Sequence, residues 1–167
     1  EEALERGVAE VVERFEIDRD LSDFDWTLRG GRAWIHSVDA WPLDAWLTES
    51  AGDQRWRPIS VGIRAIDFDS RGRPRPTNDF LRWLGRDLEG RTLDVDLEAV
   101  RALLARKPVA VQVEDRGPIA LRFRDDVIGR GAVTVDGLKS EIPKARAADL
   151  RECLRVSDPE ASGESPR

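Results

Sequence analysis

The chain has 167 residues, 40% of them hydrophobic, enough to bury a core in one domain or two small ones without covalent staples. A single cysteine, Cys153, excludes an intramolecular disulfide and every paired-cysteine metal motif, and no apolar run approaches the roughly 18 residues that span a bilayer. Lys+Arg 27 against Asp+Glu 33 leaves a net charge of −6, the wrong sign for a protein held to nucleic acid by bulk charge, so any such contact must come from a local patch.

Residues 1–15 set Leu4, Val8, Val11, Val12 and Phe15 at helical spacing, which predicts an amphipathic helix with a charged outer side. The acids Asp18, Asp20, Asp23 and Asp25 do not make a calcium loop: the sixth-position glycine is missing and Arg29 stands where the twelfth-position glutamate belongs. They read as a solvated turn. Residues 26–28 and 32–38 flank Gly30-Gly31, a pair that accepts positive φ, and predict a hairpin. His36, the only histidine, lies on its second strand without a nucleophile motif or companion ligands and reads as a surface or satisfied histidine. Residues 39–47 predict a short helix with Pro42 at an early position. Trp41 and Trp46 there join Trp26 and Trp34 as an aromatic group suited to stacking bases or, by the plainer reading, to packing the core. The polar stretch 51–57 predicts a linker.

Residues 58–68 alternate at Ile59, Val61 and Ile63 and then shift phase to Ile66 and Phe68, predicting a strand that contains a bulge. The loop SRGRPRP over 70–76 concentrates Arg71, Arg73 and Arg75 in a tight Pro/Gly turn that suits phosphate contact and equally suits solvent. Pro76-Thr77 opens a helix over 78–88 with Phe80, Leu81, Leu84 and Leu88 as its buried stripe. Leu93 and Val95 predict a short strand, and Asp96 caps a helix over 97–106 that Lys107-Pro108 ends. Asp94 and Asp96 share one side of an extended segment but do not read as an acid–base pair, because one of them is the cap. Val109, Val111 and Val113 alternate as a further strand.

In 117–151, Ile119, Leu121 and Phe123 alternate, and a second apolar run begins at Val127 with Gly129 and Gly131 inside it, where a missing side chain marks a bulge or a close backbone approach. Asp136-Gly137 predicts a type I′ turn that returns the chain through 138–142 to Pro143, giving three antiparallel strands. The residues Gly129-Arg130-Gly131, Gly137-Leu138-Lys139 and Pro143-Lys144 form a pattern that resembles the C-terminal PUA-like RNA-binding region of the Sun-family RNA cytosine-5 methyltransferases, RsmF type. That family commonly shows an Asn after the first lysine and a Tyr before the proline, where this chain has Ser140 and Ile142, with Glu141 between them. The opening helix, Phe15-Glu16-Ile17 and the hairpin with Gly30-Gly31-Arg32 look like the segment that precedes the same region.

The elements predict an α+β fold: a small helix-plus-hairpin unit over 1–56, then, as the resemblance implies, a PUA-like and mostly antiparallel β pseudobarrel with edge helices over 57–156, and a disordered tail over 157–167. No glycine-rich cofactor loop, Walker loop, nucleophile elbow or catalytic cysteine motif occurs, so no enzymatic role, cofactor or metal site is predicted. The resemblance implies a free-standing, non-catalytic module for structured RNA, ribosomal or transfer, acting in the cytoplasm in RNA modification or ribosome biogenesis. The expected contacts are Arg71, Arg73, Arg75, Arg130, Lys139, Lys144 and Arg146. If the acidic surface has lost RNA, the alternatives are a protein-interaction or assembly module and an accessory subunit of a separate RNA-modifying enzyme.

Overall fold

The computed structural model describes residues 2–37, 62–113 and 115–156. The expected helix at 39–47 with its two tryptophans, the linker at 51–57, the start of the strand at 58–61 and the tail from 157 lie outside them. The described residues form four α-helices and two four-stranded sheets, an α+β fold whose chain divides into two compact units, 1–90 and 91–167.

In the first unit, helix α1 (Glu2–Phe15) buries Leu4, Gly7, Val11 and Phe15 along one stripe. Gly7 lies so close to the Phe68 ring that a Cβ would collide with it. Strands β1 (Phe24–Arg29), β2 (Arg32–Ser37), β3 (Ile63–Phe68) and β4 (Pro74–Pro76) make an antiparallel sheet in sequence order. Gly30 and Gly31, with φ of 57° and 71°, form the expected turn between β1 and β2. Ala33 pairs with Ile66 while Trp34 pairs with Arg64, leaving Ala65 without a partner. That extra residue is the predicted bulge, and it is why both Ala65 and Ile66 are buried. Helix α2 (Asn78–Leu84) starts at Thr77, whose hydroxyl accepts from the Phe80 N–H at 3.2 Å and donates to the Arg64 carbonyl at 2.5 Å. Phe80, Leu81, Leu84 and Leu88 are all at most 1% exposed, as their spacing predicts.

The pairing of β2 with β3 runs across the stretch expected to separate two domains. Backbone ladders bind more tightly than a composition shift can divide, so β3 and β4 belong with the N-terminal hairpin, and the units part after Gly90 rather than after residue 56.

In the second unit, β5 (Thr92–Asp94), β6 (Gly117–Phe123), β7 (Asp126–Thr134) and β8 (Gly137–Ser140) form the other sheet, in that order. Strand β5 runs parallel to β6 because helix α3 (Leu97–Leu104) carries the chain between them; the other pairs are antiparallel. Asp96 caps α3 by accepting the Ala99 N–H at 2.8 Å, and α3 turns Val100, Leu103 and Leu104 into a core shared with Ile119, Leu121 and Leu138. Helix α4 (Lys144–Val156) adds Ala147 to that core. Among the described residues neither sheet closes on itself, so a pseudobarrel is not seen.

Two local expectations shift. Thr134 pairs with Gly137, so the β7–β8 turn is Val135-Asp136, one residue before the expected pair, and neither has positive φ. In this sheet positive φ at both turn positions is found instead at Arg124-Asp125, at 51° and 66°, between β6 and β7. Of Val109, Val111 and Val113 only Val109 pairs, exchanging backbone hydrogen bonds with Leu138 at 3.0 and 2.8 Å. In that antiparallel register Val111 falls opposite the turn residue Asp136, so the ladder ends after one bridge.

Candidate nucleic-acid interface

The seven expected contact residues divide between the two units. Arg71 and Arg73 lie on the β3–β4 loop and Arg75 on β4 itself. The loop is organised by Asp69, whose Oδ1 accepts the backbone N–H groups of Arg71 and Arg73 at 2.8 and 3.0 Å, while its Oδ2 takes the Arg73 Nε at 2.8 Å. Those donors, the Arg73 side chain first, hold the Asp69 carboxyl well below the usual range, at about 2. Arg73 is thereby pinned to its own loop, whereas the Arg71 side chain is exposed at the tip.

The other four follow one another on β7, β8 and the first turn of α4. Ala132 faces Lys139 across the ladder, and the Glu141 N–H donates to the Arg130 carbonyl at 2.9 Å. Side chains alternate along a strand, so Arg130, Lys139 and Glu141 share the face opposite the buried Val133 and Leu138. There Arg130 Nε donates to Glu141 Oε2 at 2.6 Å, with 14% and 26% of the two side chains exposed. Lys139 Nζ donates to Asp136 Oδ2 at 2.6 Å, and Arg122 on β6 reaches Asp94 on β5 at 2.6 Å. The hydrogen bond from Lys139 lowers the Asp136 carboxyl, and that from Arg122 lowers Asp94 and raises its own guanidinium. Lys144 is exposed, and Arg146 is half-buried with an Nε that has no hydrogen-bond partner. Arg106 spans from the end of α3 to the carbonyls of Ser140 and Ile142 and fixes the run from β8 into α4.

Sequence reasoning found these cations but not which carboxylate each one bonds. Glu141 stands out in the sequence as a departure from a pattern and as an acid between Lys139 and Lys144 that blunts their charge, but nothing in its spacing announces that it lies opposite Arg130. Asp94, weighed as half of an acid–base pair, is an ion-pair partner on the surface, and Asp96 is a helix cap. His36 is buried, with Nδ1 3.3 Å from the Ser37 carbonyl. Trp26 packs on Phe80 at 5.9 Å, and the Arg19 guanidinium lies 4.3 Å over the Trp83 ring. Among the described residues no group of three or more His, Cys, Asp or Glu is placed to hold a metal ion, and no helix is long and apolar enough to cross a membrane. No protein-family model matches the chain, and no curated protein matches it in sequence.

Proposed function

We propose that the chain is a non-catalytic, cytoplasmic RNA-binding module that engages ribosomal or transfer RNA in RNA modification or ribosome assembly, related to the PUA-like region of the Sun-family methyltransferases. The observation that carries this reading is the run of Arg130, Lys139, Lys144 and Arg146 within one unit, with an exposed Lys144 and an Arg146 whose Nε has no hydrogen-bond partner among the described residues. Lys144 and Arg146 supply net positive charge to a phosphate backbone, and Arg130 and Lys139 flank them with charge that their pairs with Glu141 and Asp136 blunt. The reading assigns no reaction and no cofactor, and saturable binding of S-adenosylmethionine in calorimetry would contradict it.

The test is the charge reversal Lys139→Glu with Lys144→Glu, assayed against a structured RNA at low ionic strength. Affinity should fall and its salt dependence flatten while the thermal midpoint holds. A second reading, a protein-assembly module, draws on the three carboxylate pairs that balance the cations of the β5–β8 face. It gains the ground if wild type binds no RNA, or if the reversal leaves affinity unchanged.

A further inference from the structure

The two edges of the first sheet end in different ways. At the β4 edge the Asp69 N–H donates to the Arg73 carbonyl at 3.1 Å, and two residues on, in the same phase, Asp67 bonds Arg75. The outward positions there are Pro74 and Pro76, and neither has an N–H to offer a further strand. The β1 edge carries no proline, lysine or bulge. Arg29 and Arg32 flank the two-residue Gly30-Gly31 turn as a bonded pair, so Asp25, Thr27 and Arg29 direct their backbone groups to β2 while Phe24, Trp26 and Leu28 turn theirs outward. The Phe24 N–H follows that phase and donates away from β2, to the Leu21 carbonyl at 3.2 Å. Among the described residues no strand lies on the outer side of β1, and the outward N–H and C=O groups of Trp26 and Leu28 have no partner. Beside them the Leu28 side chain is 43% exposed, which few large apolar side chains here are.

We propose that β1 is a self-association edge, at which two copies of the chain pair β1 with β1, antiparallel about a twofold axis at Thr27, and join their four-stranded sheets. What the edge offers fixes the register. Trp26 and Leu28 alone on β1 have both an outward N–H and an outward C=O without a partner, and setting each opposite the other makes two bonded pairs, one on either side of the axis. A register with Trp26 opposite itself would pair Phe24 with Leu28 and need the Phe24 N–H, which Leu21 already engages. In the Thr27-centred register the exposed Leu28 side chain meets the Trp26 indole of the second copy, and Asp25 falls opposite Arg29 at both ends, so no like charges are brought together. The Asp25 carboxylate is exposed and has no ion pair among the described residues. An unrelated extended segment fits such an edge in general, but β1 is its own complement in hydrogen bonds, apolar contact and charge, which is what a twofold interface requires. This association holds whether or not the second unit binds RNA.

Sedimentation equilibrium on the full chain tests it. Wild type should pass from monomer to twice that mass as concentration rises, and no further, because both β1 edges are then occupied. Leu28→Pro removes an outward N–H in each copy while leaving the β1–β2 ladder intact, and should weaken association about tenfold or more. Asp25→Arg, which sets like charges in register, should weaken it by a smaller factor. The register itself is read by cross-linking in a Cys153→Ser background. Thr27→Cys places two thiols across the axis at a non-bonded pair, with Cα atoms about 4.5 Å apart, and should form an interchain disulfide under mild oxidation. Asp25→Cys, displaced from the axis, should not. If Leu28→Pro fails to fold, the two cysteine variants decide. The proposal is overturned if wild type stays monomeric throughout, if its mass grows beyond the dimer, if folded Leu28→Pro associates as wild type does, or if Asp25→Cys cross-links as fast as Thr27→Cys.

Discussion

The two units each carry a four-stranded sheet but build it differently, all antiparallel and in sequence order in the first, mixed and shared with a crossover helix in the second. On the second sheet Arg122, Arg130 and Lys139 each bond a carboxylate at 2.6 Å, whereas on the first sheet the register sets Arg32 and Arg75 on either side of Asp67, which bonds Arg64 at 3.2 Å. A cation already paired brings little net charge to a phosphate. Counting arginines therefore says less about binding than knowing which carboxylate lies across the ladder.

The largest effects should come from breaking one unit while watching both. All six tryptophans precede residue 90 in the sequence, so their fluorescence carries no signal from residues 91–167. Leu121→Ala in the fully buried core of the second should cost about 2–5 kcal/mol. Circular dichroism should then show an earlier denaturant transition while the tryptophan midpoint stays put; coincident shifts would mean that the units unfold as one. Gly137→Val should destabilise the second unit by about 1–3 kcal/mol, because φ there is 109° and a Cβ would sit 2.6 Å from the Val109 carbonyl oxygen. An unchanged midpoint would refute that close approach.

Helix caps sharpen the contrast at a smaller scale. Thr77 is buried and bonds in two directions, whereas the Asp96 cap bond is exposed. Thr77→Ala should thus cost about 2 kcal/mol and Asp96→Ala about 1 kcal/mol. Equal costs in urea melts would count against the second bond of Thr77.

Helix faces and hairpins were legible because their signals are local: the stripe of α1, the Gly30-Gly31 turn, the Asp96 cap and even the bulge at Ala65 follow from spacing over a few residues. The division of the chain was not, since it depends on β3 pairing with β2 across a stretch whose composition suggests a break. The turn at Val135-Asp136 defeated the Asp-Gly signal because Gly137 serves a different need there, room for the Val109 backbone. The candidate site was half legible: the cations are visible in sequence, but the partnerships of Arg130 with Glu141 and of Arg122 with Asp94 are products of register.

The smallest effect is a titration. The Asp69 carboxyl sits below its unfolded value, so the stability it lends the β3–β4 loop is complete above the ordinary carboxylate range and is lost as pH falls through about 2. Carboxyl NMR should find Asp69 titrating near that value, and Arg73→Gln should move it upward; an ordinary titration in wild type would break the account of the loop.

The central claim is that the second unit binds RNA through net charge at Lys144 and Arg146, and the salt dependence of its affinity for a duplex RNA tests this most directly. Two phosphates neutralised at about 0.7–0.9 each give a log–log slope of roughly −1.4 to −1.8. Glu141→Gln should tighten binding and steepen the slope by up to about 0.7–0.9, because it removes a negative charge that bonds Arg130 at 2.6 Å. A flat wild-type line, or a Glu141→Gln line that overlies it, would contradict the account.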